Sequence, residues 1–358
     1  MRSAIRVLVV DDSALIRQML SRALSMDPRV VVAGVAKNGV EAVELATELQ
    51  PDVITLDIEM PEMTGLEALP QIRRHSDARV IILSSVDDPD TTYRALALGA
   101  VDFIPKPTAG MATSITELTD TLLKKIRVAY RIDPAQIPEA ASRSSELTLA
   151  PDDVKPLAAF TEHISVCVAI AASTGGPPAL ERVLGGLSVS LPAAYVVVQH
   201  LPVGFSGSLA KRLNAVSSIT VQEAEDGAFL QAGHAYVAPH GRHMVVDASA
   251  GVARLLFTDE PPVHGVRPAA DVLFKSVSDA FGDGAVGVVM TGMGADGARG
   301  ALAIKRAAGD VIIQDEATSV VWGMPGAAVK LNAGRRVVAL GLIAAEIRRS
   351  IRVRQEAM

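Results

Sequence analysis

Residues 5–12 read IRVLVVDD, a hydrophobic run that ends on two aspartates. Three further hydrophobic runs also end on a polar residue: VITLD at 53–57, VIILS at 80–84 and VDFIPK at 101–106. Short apolar runs of this kind predict buried strands. Helical patterns separate them near 13–27, 38–49, 65–75, 89–98 and 112–130. This alternation of strand and helix predicts a parallel sheet covered on both faces.

The polar residues at the strand ends are of three useful kinds. Asp11, Asp12 and Asp57 are carboxylates, Ser84 is a hydroxyl and Lys106 is an ammonium. Because ligands bind at the carboxyl ends of the strands of an open parallel sheet, these groups are expected at one edge. Together they suit a divalent cation and a phosphoryl group. The alternative is a flavodoxin-like domain whose strand-end polar residues have no such role.

These residues, with Pro107 after Lys106, resemble the receiver domain of two-component response regulators over about residues 1–130. The resemblance implies a flavodoxin-like domain with a five-stranded parallel sheet. It also implies that Asp57 accepts a phosphoryl group from a histidine kinase. Phosphoryl transfer depends mainly on positioning and electrostatic stabilisation.

The resemblance also implies a metal ion and a switch. Mg²⁺ would be bound by Asp12, Asp57 and the backbone carbonyl of Glu59, and by Asp11 through water, since Mg²⁺ prefers oxygen ligands and keeps several waters. The remaining roles implied are phosphoryl binding by Lys106 and Ser84, and an aromatic switch at Phe103.

Composition and charge set limits on the function. The chain has 358 residues and 49% hydrophobic residues, enough for two domains with full cores. No apolar run is long enough for a membrane span and no signal peptide is evident, so we expect a cytoplasmic protein without membrane insertion.

Cys167 lies in an apolar run, where a core role is expected. Residues 161–358 carry 17 basic and 17 acidic residues, so no basic surface for nucleic acid is expected.

Periodicity is lost between residues 131 and 160, where Pro, Ser, Ala and acidic residues predominate. We therefore predict a receiver domain at 1–130, a linker at 131–160 and a second domain at 161–358. The second domain is predicted to be a doubly wound, mostly parallel α/β fold with a β-hairpin insertion. Short antiparallel segments are expected near 219–222, 234–239, 242–247 and 252–257.

Three residues of the second domain are the parts of a nucleophilic hydrolase. Ser173 follows a strand and precedes a helix, His200 ends the next strand, and Asp296 lies in a glycine-rich turn. A serine hydroxyl needs a neighbouring base, and an imidazole needs a carboxylate to hold its tautomer. A helix beginning near Pro177 would direct backbone N–H groups at a developing oxyanion. The chain order and the lack of a Gly-x-Ser-x-Gly motif leave the triad open on spacing alone.

Several motifs resemble the CheB chemotaxis methylesterase family: ASTGGP at 172–177, VQH at 198–200, RPAADVLF at 267–274 and MTGMGADG at 290–297. The resemblance implies hydrolysis of glutamate methyl esters, and deamidation of glutamines, on the cytoplasmic helices of chemoreceptors. It implies Ser173 as nucleophile, His200 as general base and acid, Asp296 as orienting acid, and no cofactor for the esterase. The backbone N–H of Met293 is a candidate oxyanion donor. The sequence departs from the family at Ala171, where glycine is common, and at residues 263–266, which read VHGV.

One rival reading uses the same loop. Residues 292–297 read GMGADG and formally match Gly-x-Gly-x-x-Gly, and Asp315 and Glu316 end the next strand, so a dinucleotide-binding output domain is an alternative. Against it, the motif comes late in the domain, and Asp296 would place a negative charge near a pyrophosphate. A DNA-binding output would need a basic face, and a protein-binding adaptor would need no triad. The histidines at 234, 240, 243 and 264 suggest surface or structural roles rather than a metal site.

Overall fold

The computed structural model describes residues 4–84, 89–106, 115–137 and 164–356. The chain divides into two compact units, Met1–Leu147 and Thr148–Met358. Most of the predicted linker, from residue 138 onward, and Pro107 lie outside the described residues. Within the described residues, no helix has the length and apolar character needed to cross a membrane.

The first unit is built on a five-stranded parallel sheet, as predicted, with strand order β2-β1-β3-β4-β5. The strands are β1 (Ile5–Val10), β2 (Val30–Ala36), β3 (Val53–Asp57), β4 (Arg79–Ser84) and β5 (Asp102–Pro105). The helices are α1 (Ala14–Leu24), α2 (Gly39–Leu49), α3 (Gly65–His75), α4 (Pro89–Ala97) and α5 (Ile115–Ala129).

The helices of this sheet begin where short polar side chains bond the free N–H groups of the first turn. Ser13 caps α1, Asn38 caps α2, and Thr64 forms a capping box with Glu67 on α3. Each cap lies in a loop at the carboxyl end of the sheet. These loops therefore have a fixed geometry around the strand-end aspartates.

Residues beyond α5 still pack on the first unit. A 3-10 turn spans Pro134–Gln136. The guanidinium of Arg79 donates to the carbonyl oxygen of Ile132 at 2.8 Å, and that of Arg73 donates to Ile137 at 3.4 Å. Residues 132–137 therefore pack on the first unit, beyond the predicted boundary at residue 130.

The second unit contains a seven-stranded parallel sheet with order β14-β13-β12-β6-β7-β9-β8. A separate antiparallel pair, β10-β11, forms the predicted hairpin insertion. The strands are β6 (Val166–Ala172), β7 (Ala193–Gln199), β8 (Thr220–Glu223), β9 (His234–Val237), β10 (His243–Asp247), β11 (Arg254–Thr258), β12 (Ala285–Val289), β13 (Asp310–Gln314) and β14 (Arg336–Val338).

The expectation of four antiparallel segments was wrong for two of them. β8 and β9 are parallel members of the main sheet, and β9 pairs with β7. Ala235, Tyr236 and Val237 are buried because β9 lies inside the sheet. Strands of four residues are too short for periodicity to distinguish a buried parallel strand from one arm of a hairpin.

The helices of the second unit pack around this sheet, and they include one that was not predicted, α10. They are α6 (Gly176–Leu184), α7 (Ser206–Val216), α8 (Ala270–Phe281), α9 (Ala298–Arg306), α10 (Met324–Lys330) and α11 (Leu340–Glu356). The chain runs from β6 outward to β7 on one side and returns to β12 on the other. The strand order therefore reverses beside β6, which is where α/β sheets bind ligands.

Candidate functional site

In the first unit, Lys106 lies between two buried carboxylates at the carboxyl edge of the sheet. Its Nζ is 2.6 Å from Asp57 Oδ2 and 2.9 Å from Asp11 Oδ2. Asp57 ends the central strand β3, and Asp11 and Lys106 follow β1 and β5. The sheet therefore brings together groups that are nearly one hundred residues apart in the chain.

Burial is the main influence on the protonation of this cluster. It raises the pKa of Asp57 to about 6, against the lowering effect of Lys106 and of the Glu59 N–H, which donates to Asp57 Oδ1 at 3.3 Å. Burial lowers the pKa of Lys106, but its bonds to Asp57 and Asp11 prevail and raise it. The ammonium is thus held in its charged form.

The three aspartates also fit a divalent cation. Carboxylate oxygens of Asp11, Asp12 and Asp57 lie within 4.8 Å of one another. Three carboxylates facing one ammonium leave excess negative charge, and hard oxygen ligands are those that Mg²⁺ prefers. The predicted ligand carbonyl belongs to Glu59, two residues after Asp57.

Ser84 and Phe103 lie beside this cluster. Ser84 is buried at the end of β4, its hydroxyl hydrogen-bonds to Thr92, and its backbone oxygen accepts from the Lys106 N–H at 2.7 Å. Phe103 is buried on β5 and meets Tyr93 edge to face, with ring centroids 6.4 Å apart. The predicted switch residue therefore packs inward against α4.

In the second unit, the ends of three neighbouring strands form the candidate active site. Ala172 of β6 pairs with Gln199 of β7, so Ser173 and His200 follow neighbouring strand ends. The His200 N–H donates to Ala172 O at 3.2 Å, and the Ser173 N–H donates to Thr291 O, beyond β12, at 3.0 Å. Ser173 is thereby tied to the strands on both sides of it.

His200 and Asp296 form a hydrogen-bonded pair, with His200 Nε2 2.8 Å from Asp296 Oδ2. The same oxygen accepts the N–H of Ala270 at 2.7 Å. Oδ1 accepts the N–H groups of Asp271 and Gly297, each at 2.9 Å. Burial raises the pKa of Asp296, but His200 and the backbone donors outweigh it and hold the pKa below its usual value. The carboxylate is therefore an anion with four donors.

The Ser173 hydroxyl forms no hydrogen bond to His200 or Asp296 within residues 164–356. A continuous hydrogen-bonded line of three groups was expected; the structure contains the His200–Asp296 part and places Ser173 at the adjacent strand end. Catalytic hydrogen bonds in ligand-free sites commonly tighten only when substrate binds. Because Nε2 of His200 contacts Asp296, Nδ1 is the nitrogen left to receive a proton.

The Gln199 side chain links the backbone of Ser173 to that of His200, a role that was not predicted from the sequence. Its Nε2 donates to Ser173 O at 2.9 Å and to His200 O at 3.1 Å. A Cβ at Gly176 would overlap the Gln199 amide oxygen, so a larger residue there must displace the Gln199 side chain. The available signal was a buried amide at the end of an otherwise apolar strand.

The N-terminus of α6 does not supply oxyanion donors as expected. The Gly176 N–H is bonded to Ser173 O at 2.7 Å, and the next two residues are prolines, which have no N–H. Met293 lies in the turn after β12, with a side chain that is 39% exposed. In the part of the chain that the structure describes, nothing accepts its backbone N–H.

The dinucleotide alternative finds no support. The Gly297 N–H at the start of α9 is bonded to the Asp296 carboxylate, which stands where a pyrophosphate would bind. Asp315, the candidate ribose ligand, accepts from Thr318 N at 3.0 Å and is engaged in its own turn.

The other singled-out residues have local partners. The His234, His240 and His243 rings hydrogen-bond to backbone groups at 3.1, 2.7 and 3.2 Å respectively, and His264 bonds to Asp271. Cys167 is fully buried in β6, and burial raises its thiol pKa, as expected of a core residue.

Comparison with known proteins gives two family matches. The CheB methylesterase model matches residues 168–347, and the response regulator receiver domain model matches residues 7–116. A protein-glutamate methylesterase/protein-glutamine glutaminase of Pyrococcus horikoshii is 42% identical over 98% of this chain and 94% of that protein. The protein of the same name from Symbiobacterium thermophilum is 42% identical over 97% of each chain. The crystal structure of the Thermotoga maritima CheB methylesterase catalytic domain is 36% identical, with a TM-score of 0.51, covering 52% of this chain and 98% of that one.

Proposed function

The chain belongs to the CheB methylesterase family and carries a response regulator receiver domain, and from this premise we propose that it is a phosphorylation-regulated protein-glutamate methylesterase. Its substrates are glutamate methyl esters on the cytoplasmic helices of chemoreceptors, and it also deamidates glutamines there. The reaction takes place in the cytoplasm. The observation that carries the chemistry is the buried Asp296–His200 pair beside Ser173 at the edge of the sheet.

The geometry supports acyl transfer in two steps. The Ser173 Oγ attacks the ester carbonyl carbon while its proton moves to His200 Nδ1, and Asp296 stabilises the resulting imidazolium. His200 then gives that proton to the departing methoxide, so methanol leaves and the glutamyl group stays on Ser173. Water, deprotonated by His200, attacks this acyl-enzyme and releases glutamate and free serine. With glutamine, ammonia replaces methanol as the leaving group.

Met293 is the candidate donor to the oxyanion that forms in both steps. Its backbone N–H follows Gly292, whose missing side chain keeps the loop close to Ser173: a Cβ at 292 would lie 2.8 Å from Ser173 Cβ. A single well-placed donor contributes roughly 10²–10³-fold to the rate in hydrolases of this kind.

Control comes from the first unit. We propose that a histidine kinase supplies the phosphoryl group to Asp57. Asp12, Asp57 and the Glu59 carbonyl would bind Mg²⁺ directly and Asp11 through water, and the bound ion would supply charge neutralisation during the transfer. Lys106 and Ser84 bind the phosphoryl oxygens, and the changed contacts at Ser84 move Phe103 between two packed positions. The unphosphorylated receiver then keeps the esterase rate low.

Measurement of methanol release from methylated receptor tests the esterase. Ser173→Ala should abolish turnover while Asp57 is still phosphorylated normally. Ser188→Ala is the matched control, since among the described residues the Ser188 hydroxyl bonds only to the hydroxyl and N–H of Ser190, at 3.0 and 3.3 Å, in an exposed loop. Retained turnover in Ser173→Ala would remove the serine from the mechanism.

Truncation before about residue 155 tests the control. If the unphosphorylated receiver inhibits the esterase, the remaining chain should show a higher basal rate than the unphosphorylated full chain. Full-length protein should reach a similar rate with a small-molecule phosphodonor and Mg²⁺, and Asp57→Asn should not respond. An unchanged or lower rate after truncation would reject this inhibition.

A further inference from the structure

The hydrogen bonds around Asp296 lead to a histidine outside the triad. Asp296 is held by the first N–H groups of α8, those of Ala270 and Asp271, at 2.7 and 2.9 Å. The N-cap residue of α8, Ala269, has no side chain that could accept these N–H groups in its place. The orientation of the carboxylate toward His200 therefore depends on where the first turn of α8 lies.

The side chain of Asp271 fixes that turn. Its Oδ1 accepts the N–H of Gly300 on α9 at 2.7 Å, and its Oδ2 accepts from His264 Nε2 at 2.8 Å. The two helices approach closely here, because a Cβ at Gly300 would lie 2.5 Å from Phe274 Cβ. His264 is the only side chain among the described residues that donates to Asp271.

His264 is presented by a tight turn. Val263 and Val266 exchange two backbone hydrogen bonds, and the two residues between them, His264 and Gly265, have φ values of +54° and +75°. Positive φ at both central positions is the geometry of a type I′ turn. The turn holds the imidazole of His264 against the start of α8, and the His264 side chain is 28% exposed.

A metal site is a weaker interpretation of the same group. Atoms of His264, Asp271 and Asp296 that can bind a metal lie within 4.8 Å of one another. However, each of the four carboxylate oxygens already accepts at least one N–H. A cation would have to displace these donors, so the cluster is better described as a hydrogen-bonded relay.

We propose that His264 is a positioning residue for ester hydrolysis: through Asp271 and the first turn of α8, it holds the Asp296 carboxylate against His200. This inference rests on the proposed function. Without the imidazole, one oxygen of Asp271 loses its donor next to a second carboxylate, and the first turn of α8 is free to shift. Small displacements of catalytic groups can lower the rate by as much as about 10²-fold.

The test compares three variants in the full chain, assayed by methanol release. His264→Ala should lower kcat about 10-fold with KM unchanged, since substrate contacts are retained. His264→Gln places an amide N–H near the position of Nε2 and should restore kcat to within about 2-fold of wild type. His234→Ala is the matched control, because among the described residues the His234 ring hydrogen-bonds only to the Ala232 carbonyl, at the start of β9 and the opposite end of the sheet from the site.

A second readout is the proton NMR signal of the His200–Asp296 hydrogen bond, which should be lost or shifted in His264→Ala and restored in His264→Gln. Wild-type kcat in His264→Ala, or a loss that His264→Gln does not restore, would overturn the positioning role. Failure of the proposed function can be told apart from failure of this inference. In that case Ser173→Ala would retain turnover, whatever the kcat values of the His264 variants.

Discussion

Replacement of Asp296 by asparagine separates its electrostatic and structural roles. The carboxylate accepts four hydrogen bonds, two on each oxygen. Asparagine has one acceptor oxygen and one NH₂ group. Its NH₂ group must therefore face at least one backbone N–H, which can only donate. Three of the four donors are backbone N–H groups, which cannot reverse.

The two orientations of the asparagine differ in cost. With its oxygen toward Asp271 and Gly297, the amide nitrogen faces the Ala270 N–H and His200, leaving one backbone donor without an acceptor. The reverse orientation leaves two. Each buried donor without a partner costs about 1–3 kcal/mol, so the first orientation is favoured and the variant should lose about that amount of stability. In a domain of this size, each 1 kcal/mol lowers Tm by roughly 2–4 °C.

The favoured orientation also changes the histidine. An amide N–H pointing at His200 Nε2 makes that nitrogen an acceptor and moves the ring proton to Nδ1, which then cannot act as the base. In a serine protease the equivalent change of tautomer costs about 10⁴ in kcat, and we expect about 10³–10⁴ here.

Methanol release and thermal unfolding at pH 7 measure the two effects. Asp279→Asn on α8 is the control, because Asp279 is 61% exposed and its pair with Lys275 should contribute little. A kcat for Asp296→Asn within 10-fold of wild type would refute the assignment of Nδ1 as base. An unchanged Tm would refute the idea that the carboxylate anchors α8.

Two further predictions concern other parts of the molecule. Gly176→Ala should displace Gln199 from the backbone of the active site and lower kcat about 10-fold. The control is Gly207→Ala, which should remain active because its new Cβ would lie 3.3 Å from its nearest neighbour. Equal activities of the two variants would show that Gln199 is dispensable. In the first unit, the hydrogen bond from Arg29 holds the pKa of Asp27 well below its usual range. The ionised Asp27 carboxylate therefore stabilises the folded state above its unfolded pKa of about 3.9, and this stabilisation is lost as the pH falls further. In chemical denaturation, Asp27→Asn should be less stable than wild type at pH 7, and the two stabilities should converge in acid. A difference independent of pH would contradict this origin.

Much of the fold followed from the sequence because its local signals agree with one another. The hydrophobic runs ending at Asp57 and Ser84 are buried strands, and the helices begin close to where they were predicted. Parallel strands place their carboxyl ends at one edge, so clustering of the strand-end residues followed from the topology alone.

The rest depends on contacts between distant segments. The pairing of β9 with β7 is decided by burial in a sheet rather than by its own four residues. Two of the four donors to Asp296 come from α8, which begins 26 residues earlier in the chain. The imidazole of His264 reaches Asp271, seven residues later, from a separate turn. No periodicity encodes such bonds, and only the packing of α8 on α9 produces them.

Because the N-cap residue of α8 is an alanine, the integrity of the site can be observed through the first amides of that helix. Amide hydrogens in the first turn of a helix have no acceptor within the helix and usually exchange rapidly with solvent. Those of Ala270 and Asp271 are bonded to Asp296 instead. Their exchange rates should therefore be slow while Asp296 is in place, and deuterium uptake at these two positions would report the integrity of the catalytic centre without any substrate.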